Sequence, residues 1–223
     1  AVILIFIRIK YTRVATNKVE IGSLISRFKN GILYLKKNPI IFNFGLASYM
    51  LFAFLLVEIH ILLPSYVHDF LLEKGDIYAS AEVYYSLGAI LAGLFVIKVF
   101  KHYNSIAGII ILMFIVSLAF TGMTIYKSLW YFFIANLILG ITNAGVRVLR
   151  TTYLFNHIPN NIIGRTGSIF NSLNILVRIC LIWLFTSPFF SIDDNIRFGY
   201  AVGAVMVILA IIPLLIYYKD LIN

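Results

Sequence analysis

Charge is scarce in this sequence. Asp, Glu, Lys and Arg make up 12% of its 223 residues, against about 25% in soluble globular chains. With 61% hydrophobic residues and a mean hydropathy of +0.97, the chain lacks the polar surface that a water-soluble fold of this size requires. Acidic residues are the rarest, 9 against 18 basic ones, for a net charge of +9. That excess does not mark a nucleic-acid partner. The basic residues are scattered between long apolar runs rather than gathered on one polar domain, and so read as signals of membrane topology.

Cysteine is nearly absent. The lone Cys180 lies in an apolar run, which excludes an internal disulfide and a cysteine-based metal site. His60, His68, His102 and His157 have no metal-ligand spacing. No Walker A sequence occurs, and Gly88 and Gly93 fall within an apolar run rather than a phosphate loop. No nucleophile–base pair stands out. Neither an enzyme nor a cofactor is expected.

What is present is length in apolar runs. A membrane-spanning helix needs about 20 mostly apolar residues. Six segments meet this: residues 40–63, 77–97, 106–126, 129–146, 168–187 and 198–218. The short connections carry turn or breaker residues, among them Pro64, Gly75, Asn104, Pro159 and Pro188. The fold class expected is therefore an all-α, multi-pass membrane protein with the lipid bilayer as its surroundings. Lys and Arg alternate by loop. Arg8, Lys10, Arg13, Lys18, Arg27, Lys29, Lys36 and Lys37 precede the first span; Lys98 and Lys101 follow the second; Arg147, Arg150 and Arg165 follow the fourth; Lys219 ends the chain. The intervening loops hold fewer cations and most of the acids. By the positive-inside rule the first full span is entered from the cytoplasm and the C-terminus is cytoplasmic.

Ahead of the first span, Ile21, Leu24, Ile25, Phe28, Ile32 and Leu35 recur at helical spacing, with Arg27, Lys29, Lys36 and Lys37 largely on other faces. This predicts a basic amphipathic helix at the inner membrane surface, ended by Asn38-Pro39. Residues 1–9 are apolar with their charges at the end rather than the start, the wrong order for a signal peptide. They read as the end of a truncated membrane helix. The organisation expected is thus residues 1–9 as that helix end, 10–40 as a cytoplasmic linker, 41–218 as the six-helix domain and 219–223 as a cytoplasmic tail.

The six spans differ in polarity. The third and sixth contain no charge and no Asn, Gln or His. The first holds Glu58 and His60, the second Glu82, the fourth Asn136 and Asn143 with Arg147 at its end, and the fifth Asn171, Asn174 and Arg178. Two polar spans and one bland span occur twice, which suggests two three-helix units with the bland helices facing lipid. Asn136, Gly140, Asn143 and Arg147 share a helix face, as do Asn171, Asn174 and Arg178. Glu82, Ser86, Ala89 and Gly93 share another, whose small residues allow close helix contact. Each asparagine fits either interhelical packing or contact with a solute. At about 1.5 Å per residue, Arg178 lies about 15 Å into its span, near the bilayer centre. A central arginine costs about 2.5–3.5 kcal/mol on insertion scales, so it needs a carboxylate, backbone carbonyls, cavity water or an anionic ligand. Glu58 and Glu82 lie about 8 Å below the outer surface on the same count.

Four stretches resemble a known family. SRFKNGILYLKKNPI at 26–40, PSYV at 64–67, GAILAG at 88–93, and HIP at 157–159 followed by GRTGS at 164–168 resemble the central linker and the seventh, eighth and eleventh helices of major facilitator superfamily (MFS) transporters. The likeness is to the drug and siderophore branch that includes macrolide and enterobactin exporters, and it covers nearly the whole chain. It implies that this is a C-terminal half, with its N-terminal half absent. It also implies two inverted three-helix repeats, and a central cavity lined by the first, second, fourth and fifth spans. The family's acidic–basic motif after the eighth helix is not matched: residues 97–104 carry Lys98 and Lys101 but no acid or glycine.

The function expected is secondary active transport by alternating access. The chain would export a small organic solute in exchange for protons, from the inner membrane of a bacterium. The residues expected to serve the proton or solute pathway are Glu58, Glu82, Asn136, Asn143, Asn171, Asn174 and Arg178. A non-transporting receptor or scaffold with a polar interior is the alternative.

Overall fold

The computed structural model describes residues 21–100 and 104–222. The expected helix end at 1–9, the linker start, Lys101 and His102 lie outside them. The described residues are helical and contain no strand. Helix α1 is Ile21–Lys37. Six long helices follow: α2 (Pro39–Phe70), α3 (Gly75–Val99), α4 (Ser105–Ile125), α5 (Leu129–His157), α6 (Ile163–Phe185) and α7 (Phe198–Ile216). Each is long and apolar enough to cross a membrane. A short α8 (Tyr218–Ile222) ends the described chain.

Local chemistry accounts for several boundaries. Asn38 closes α1, its side-chain amide donating to the Tyr34 carbonyl (2.8 Å), and Pro39 opens α2 in the first turn, where a missing N–H costs nothing. The Asn104 side chain caps α4 by accepting from the Ile106 N–H (3.0 Å).

Other boundaries differ from the expectation. Pro64 does not end the first span. The helix passes through it to Phe70, with π-helical turns at Glu58–Leu62 and Tyr66–Phe70 flanking the single turn Leu63–Ser65. The fourth span runs eleven residues past 146, so Arg147 and Arg150 belong to α5 rather than to a loop. The expected C-terminal tail is docked: Leu221 is buried and its carbonyl accepts from Tyr153 Oη (3.2 Å).

Packing positions the helices as follows. α3 lies along α5; α4 packs on α5 and α7; α2 packs on α6 and α7 and more lightly on α5; α1 rests on α6. The bland helices are not simply peripheral. In α4, 61% of the most apolar stretch is buried inside the unit, against 22% in α3 and 28% in α6. α4 and α7 keep an apolar outer stripe, including Phe114, Leu118, Leu209 and Leu215, while their other faces form the interior. The more polar α3 and α6 flank the unit.

Helices in lipid gain no hydrophobic drive toward one another, so close backbone approach matters. The tightest crossing is α3 on α5. A Cβ at Gly88 would fall on the Leu137 carbonyl, and one at Gly140 on the Tyr85 carbonyl. The packing face of α3 is therefore Ala81, Gly88, Ala92 and Val96. Gly93, expected on it, meets nothing within 4 Å.

Candidate functional site

Two polar clusters occupy the bundle. The first lies toward the Phe70 end of α2. Glu58, 3% exposed, sits in the first π turn, and its carboxylate accepts from Tyr200 Oη of α7 (2.7 Å). Tyr200 is fully buried and its ring meets that of Tyr66 edge-on, 4.8 Å between centroids. Tyr66 in turn donates to the Met123 carbonyl (2.7 Å). No cation lies within 4.0 Å of Glu58 among the described residues. Tyr78 Oη donates its single proton to Glu82 (2.9 Å) and lies 3.4 Å from the carbonyl of Ile59, one residue on from Glu58. Tyr78 thus holds the side chain of one expected carboxylate beside the backbone next to the other.

A cleft of about 680 Å³ opens above this cluster, lined by Pro64, Val67, His68, Leu72, Glu73, Lys74, Gly75 and Tyr78. Tyr78 is common to the cleft and to the Glu82 hydrogen bond, so a polar contact leads from the open end of the bundle to Glu82. Just under one turn along α3 from Glu82 toward the opposite end, Tyr85 Oη accepts from Asn143 Nδ2 of α5 (2.5 Å).

The second cluster lies nearer the Pro39 end of α2. Arg150 is 4% exposed. Its guanidinium donates to the Ser48 carbonyl (2.9 Å) and lies over the Tyr49 ring at 3.7 Å, while Phe170 of α6 stacks near that ring, 5.7 Å between centroids. Asn174 of α6, 3% exposed, donates to the Tyr49 carbonyl (3.2 Å). Residues 48 and 49 of α2 are thereby held from α5 on one side and from α6 on the other. Arg150 Nε and Asn174 Oδ1 have no hydrogen-bond partner among the described residues. Sequence reading assigned Arg150 to a cytoplasmic loop; the available signal was its spacing of three from Arg147 in a run with no breaker. Arg150→Ala removes a charged hydrogen bond worth about 1.5–3 kcal/mol, together with the stack on Tyr49. The expected result is a clear drop in thermal stability in detergent. Arg150→Lys recovers little of it, because an ammonium lacks the flat face and fork.

The remaining expected residues separate. Asn136 is buried and donates back to the Phe132 carbonyl of its own helix (2.9 Å), a packing arrangement rather than an open polar contact. Asn171 is exposed. Arg178 is partly buried, its Nε has no partner among the described residues, and neither Glu58 nor Glu82 lies within 4.0 Å of it. The structure thus brings Glu58, Glu82 and Asn143 onto the α2–α3–α5 side and leaves Asn171, Asn174 and Arg178 on α6. α3 and α6 do not pack extensively against each other. Tyr200 was missed because its span reads as featureless, yet a tyrosine in an apolar interior needs a partner for its hydroxyl. No metal-binding cluster occurs among the described residues.

These features define an all-α protein whose six apolar helices are compatible with integral membrane insertion and which carries a buried carboxylate and a buried arginine between them. No protein-family model matches the chain, and no curated protein or solved structure matches it significantly.

Proposed function

We propose that the chain is the C-terminal half of a secondary active transporter of the major facilitator type, exporting a small organic solute in exchange for protons from the bacterial inner membrane. The observation that carries this reading is Glu58: a carboxyl buried among apolar helices on a π turn, hydrogen-bonded by Tyr200 and, among the described residues, with no cation within 4.0 Å. Ionisable groups inside membrane spans commonly mark proton or substrate pathways, and π turns commonly mark functional sites. Glu58 and Glu82 are the proton-linked carboxylates, Tyr78 holding Glu82 beside the backbone next to Glu58. Asn143, Asn171, Asn174 and Arg178 contact the solute or its path. Arg178, which has no carboxylate within 4.0 Å among the described residues, suits an anionic group on the solute or a carboxylate of the N-terminal half.

The helix pairings support two inverted repeats. Exchanging α2 with α5, α3 with α6 and α4 with α7 turns the α3–α5 contact into α6–α2 and the α4–α5 contact into α7–α2, and maps α4–α7 and α2–α5 onto themselves. Consecutive spans alternate in direction, so an odd shift of three relates helices of opposite sense. Repeats of this kind rock against each other around a midplane site in alternating-access transporters. The C-terminus lies in the cytoplasm by the loop charges.

The test is flux. The full-length protein in inside-out vesicles is offered a panel of fluorescent amphipathic solutes, with and without an imposed pH gradient. Uptake that rises with the gradient is the expected result. Absence of gradient-driven uptake across the panel, together with no solute-dependent gain in thermal stability, favours a non-transporting receptor or scaffold.

A further inference from the structure

A second site lies at the opposite end of the bundle from the cleft. A groove of about 350 Å³ runs between α1, the start of α2 and α6, lined by Ile32, Leu35, Lys36, Pro39, Phe42 and Ile169. Its lining is apolar apart from Lys36. The groove exists because α1 is pinned against α6 at Gly31, where a Cβ would meet Ile169 Cδ1 and Arg165 Cβ. That contact leaves Ile32 half exposed beside buried Leu35. Exposed Lys29, Lys36 and Lys37 and partly buried Arg165 surround this region, and no acidic residue occurs between residues 21 and 57. Pro39 begins the first span, so the groove sits where hydrocarbon meets headgroups.

We infer that this groove is a binding site for an anionic phospholipid, an acyl chain lying along Ile32, Leu35, Phe42 and Ile169 and the headgroup phosphate meeting Lys36. Charge complementarity selects the occupant. An apolar trough with a cation at its rim and no acid in its lining matches a molecule that is apolar along its length and anionic at one end. Basic residues beside a span attract such lipids, and Lys36, the cation in the groove's lining, enriches them there about fivefold over the surrounding surface. The inference needs only a membrane-embedded bundle and is independent of the transport reading.

The experiment uses the full chain in nanodiscs, with Trp130 and Trp183 replaced by Phe and a single reporter introduced by Phe42→Trp. Brominated phosphatidylglycerol and brominated phosphatidylcholine of identical chains are compared as quenchers at equal, minor mole fractions. The expected result is about fivefold enrichment of the anionic lipid at the reporter. That preference is lost in Lys36→Gln and kept in Lys98→Gln, which removes a charge from the end of α3. Ile32→Trp serves as the reporter if Phe42→Trp does not give a helical, monodisperse protein. Equal quenching by the two lipids overturns the inference. So does an unquenched reporter, which means that another segment, such as residues 1–20, fills the groove. A preference lost equally in Lys98→Gln also overturns it, since that is the signature of a diffuse surface field.

Discussion

Glu58→Gln abolishes the pH-gradient-driven component of flux while leaving the bundle folded. The glutamine carbonyl can accept the same bond from Tyr200 that the carboxylate accepts at 2.7 Å, so side-chain volume and the α2–α7 contact are preserved. What is lost is the ability to take up and release a proton. Gradient-driven transport is expected to fall by about tenfold or more, since an amide cannot replace a titrating carboxyl. Gradient-independent equilibration is expected to persist. Tyr200→Phe separates position from titration. It leaves a buried acceptor unpaired, at a cost of about 1–3 kcal/mol, and is expected to lower thermal stability. It also shifts the pH at which flux is half-maximal, because the proton-binding group remains but its hydrogen bond is gone. Glu58→Gln flux that still follows the gradient at the parent's rate contradicts the role given to Glu58.

Gly88→Leu separates α3 from α5, whereas Gly93→Leu, five residues along the same helix, is tolerated. At Gly88 the new side chain would begin on the Leu137 carbonyl, and Gly140 presents the reciprocal contact to Tyr85. Neither backbone can retreat without opening the crossing. Overpacking costs about 1–3 kcal/mol even where side chains can give way, so a collision with main chain is expected to exceed that range and to disrupt the Tyr85–Asn143 bond as well. At Gly93 nothing lies within 4 Å, and exchanging glycine for a better helix former gains up to about 1 kcal/mol. Thermal denaturation of the two variants in the same detergent checks the pair. Similar melting temperatures would mean that α3 does not cross α5 at Gly88.

The six helices were legible because runs of about 20 apolar residues have few alternatives to membrane spans. Their ends were less so. Pro64 reads as a stop, but π turns on both sides let the helix carry it. Arg147 and Arg150 read as loop cations, but Arg150 is stabilised inside α5 by a ring and a carbonyl that α2 supplies, over one hundred positions earlier. Helical periodicity placed Asn143, Asn171 and Arg178 on shared faces of their own helices. It could not tell which asparagine would turn back on its own helix, as Asn136 does, because that depends on how closely the neighbouring helix approaches. The stripe on α3 was displaced for the same reason: glycine composition marks a close crossing but not which glycine makes it. Tyr200 was invisible as a partner of Glu58 because the pairing joins residues 142 positions apart across two helices.

The transport proposal requires that the polar face of α6 border a water-filled path while its opposite face meets lipid. A cysteine scan in native membranes of the full-length protein tests this without knowledge of the solute. Positions 171, 175 and 182 share the polar face with Arg178, and positions 176, 180 and 183 share the other, at helical spacing. Native Cys180, which is exposed in this unit, serves as the apolar-face position and is replaced by Ala in the other variants. Thiols ionise and react only where water reaches them. The account predicts that a membrane-impermeant thiol reagent modifies Asn171→Cys, Ile175→Cys and Ile182→Cys about tenfold or more faster than Cys180, Leu176→Cys and Trp183→Cys. Equal rates on the two faces, or faster reaction at 176, 180 and 183, would contradict it.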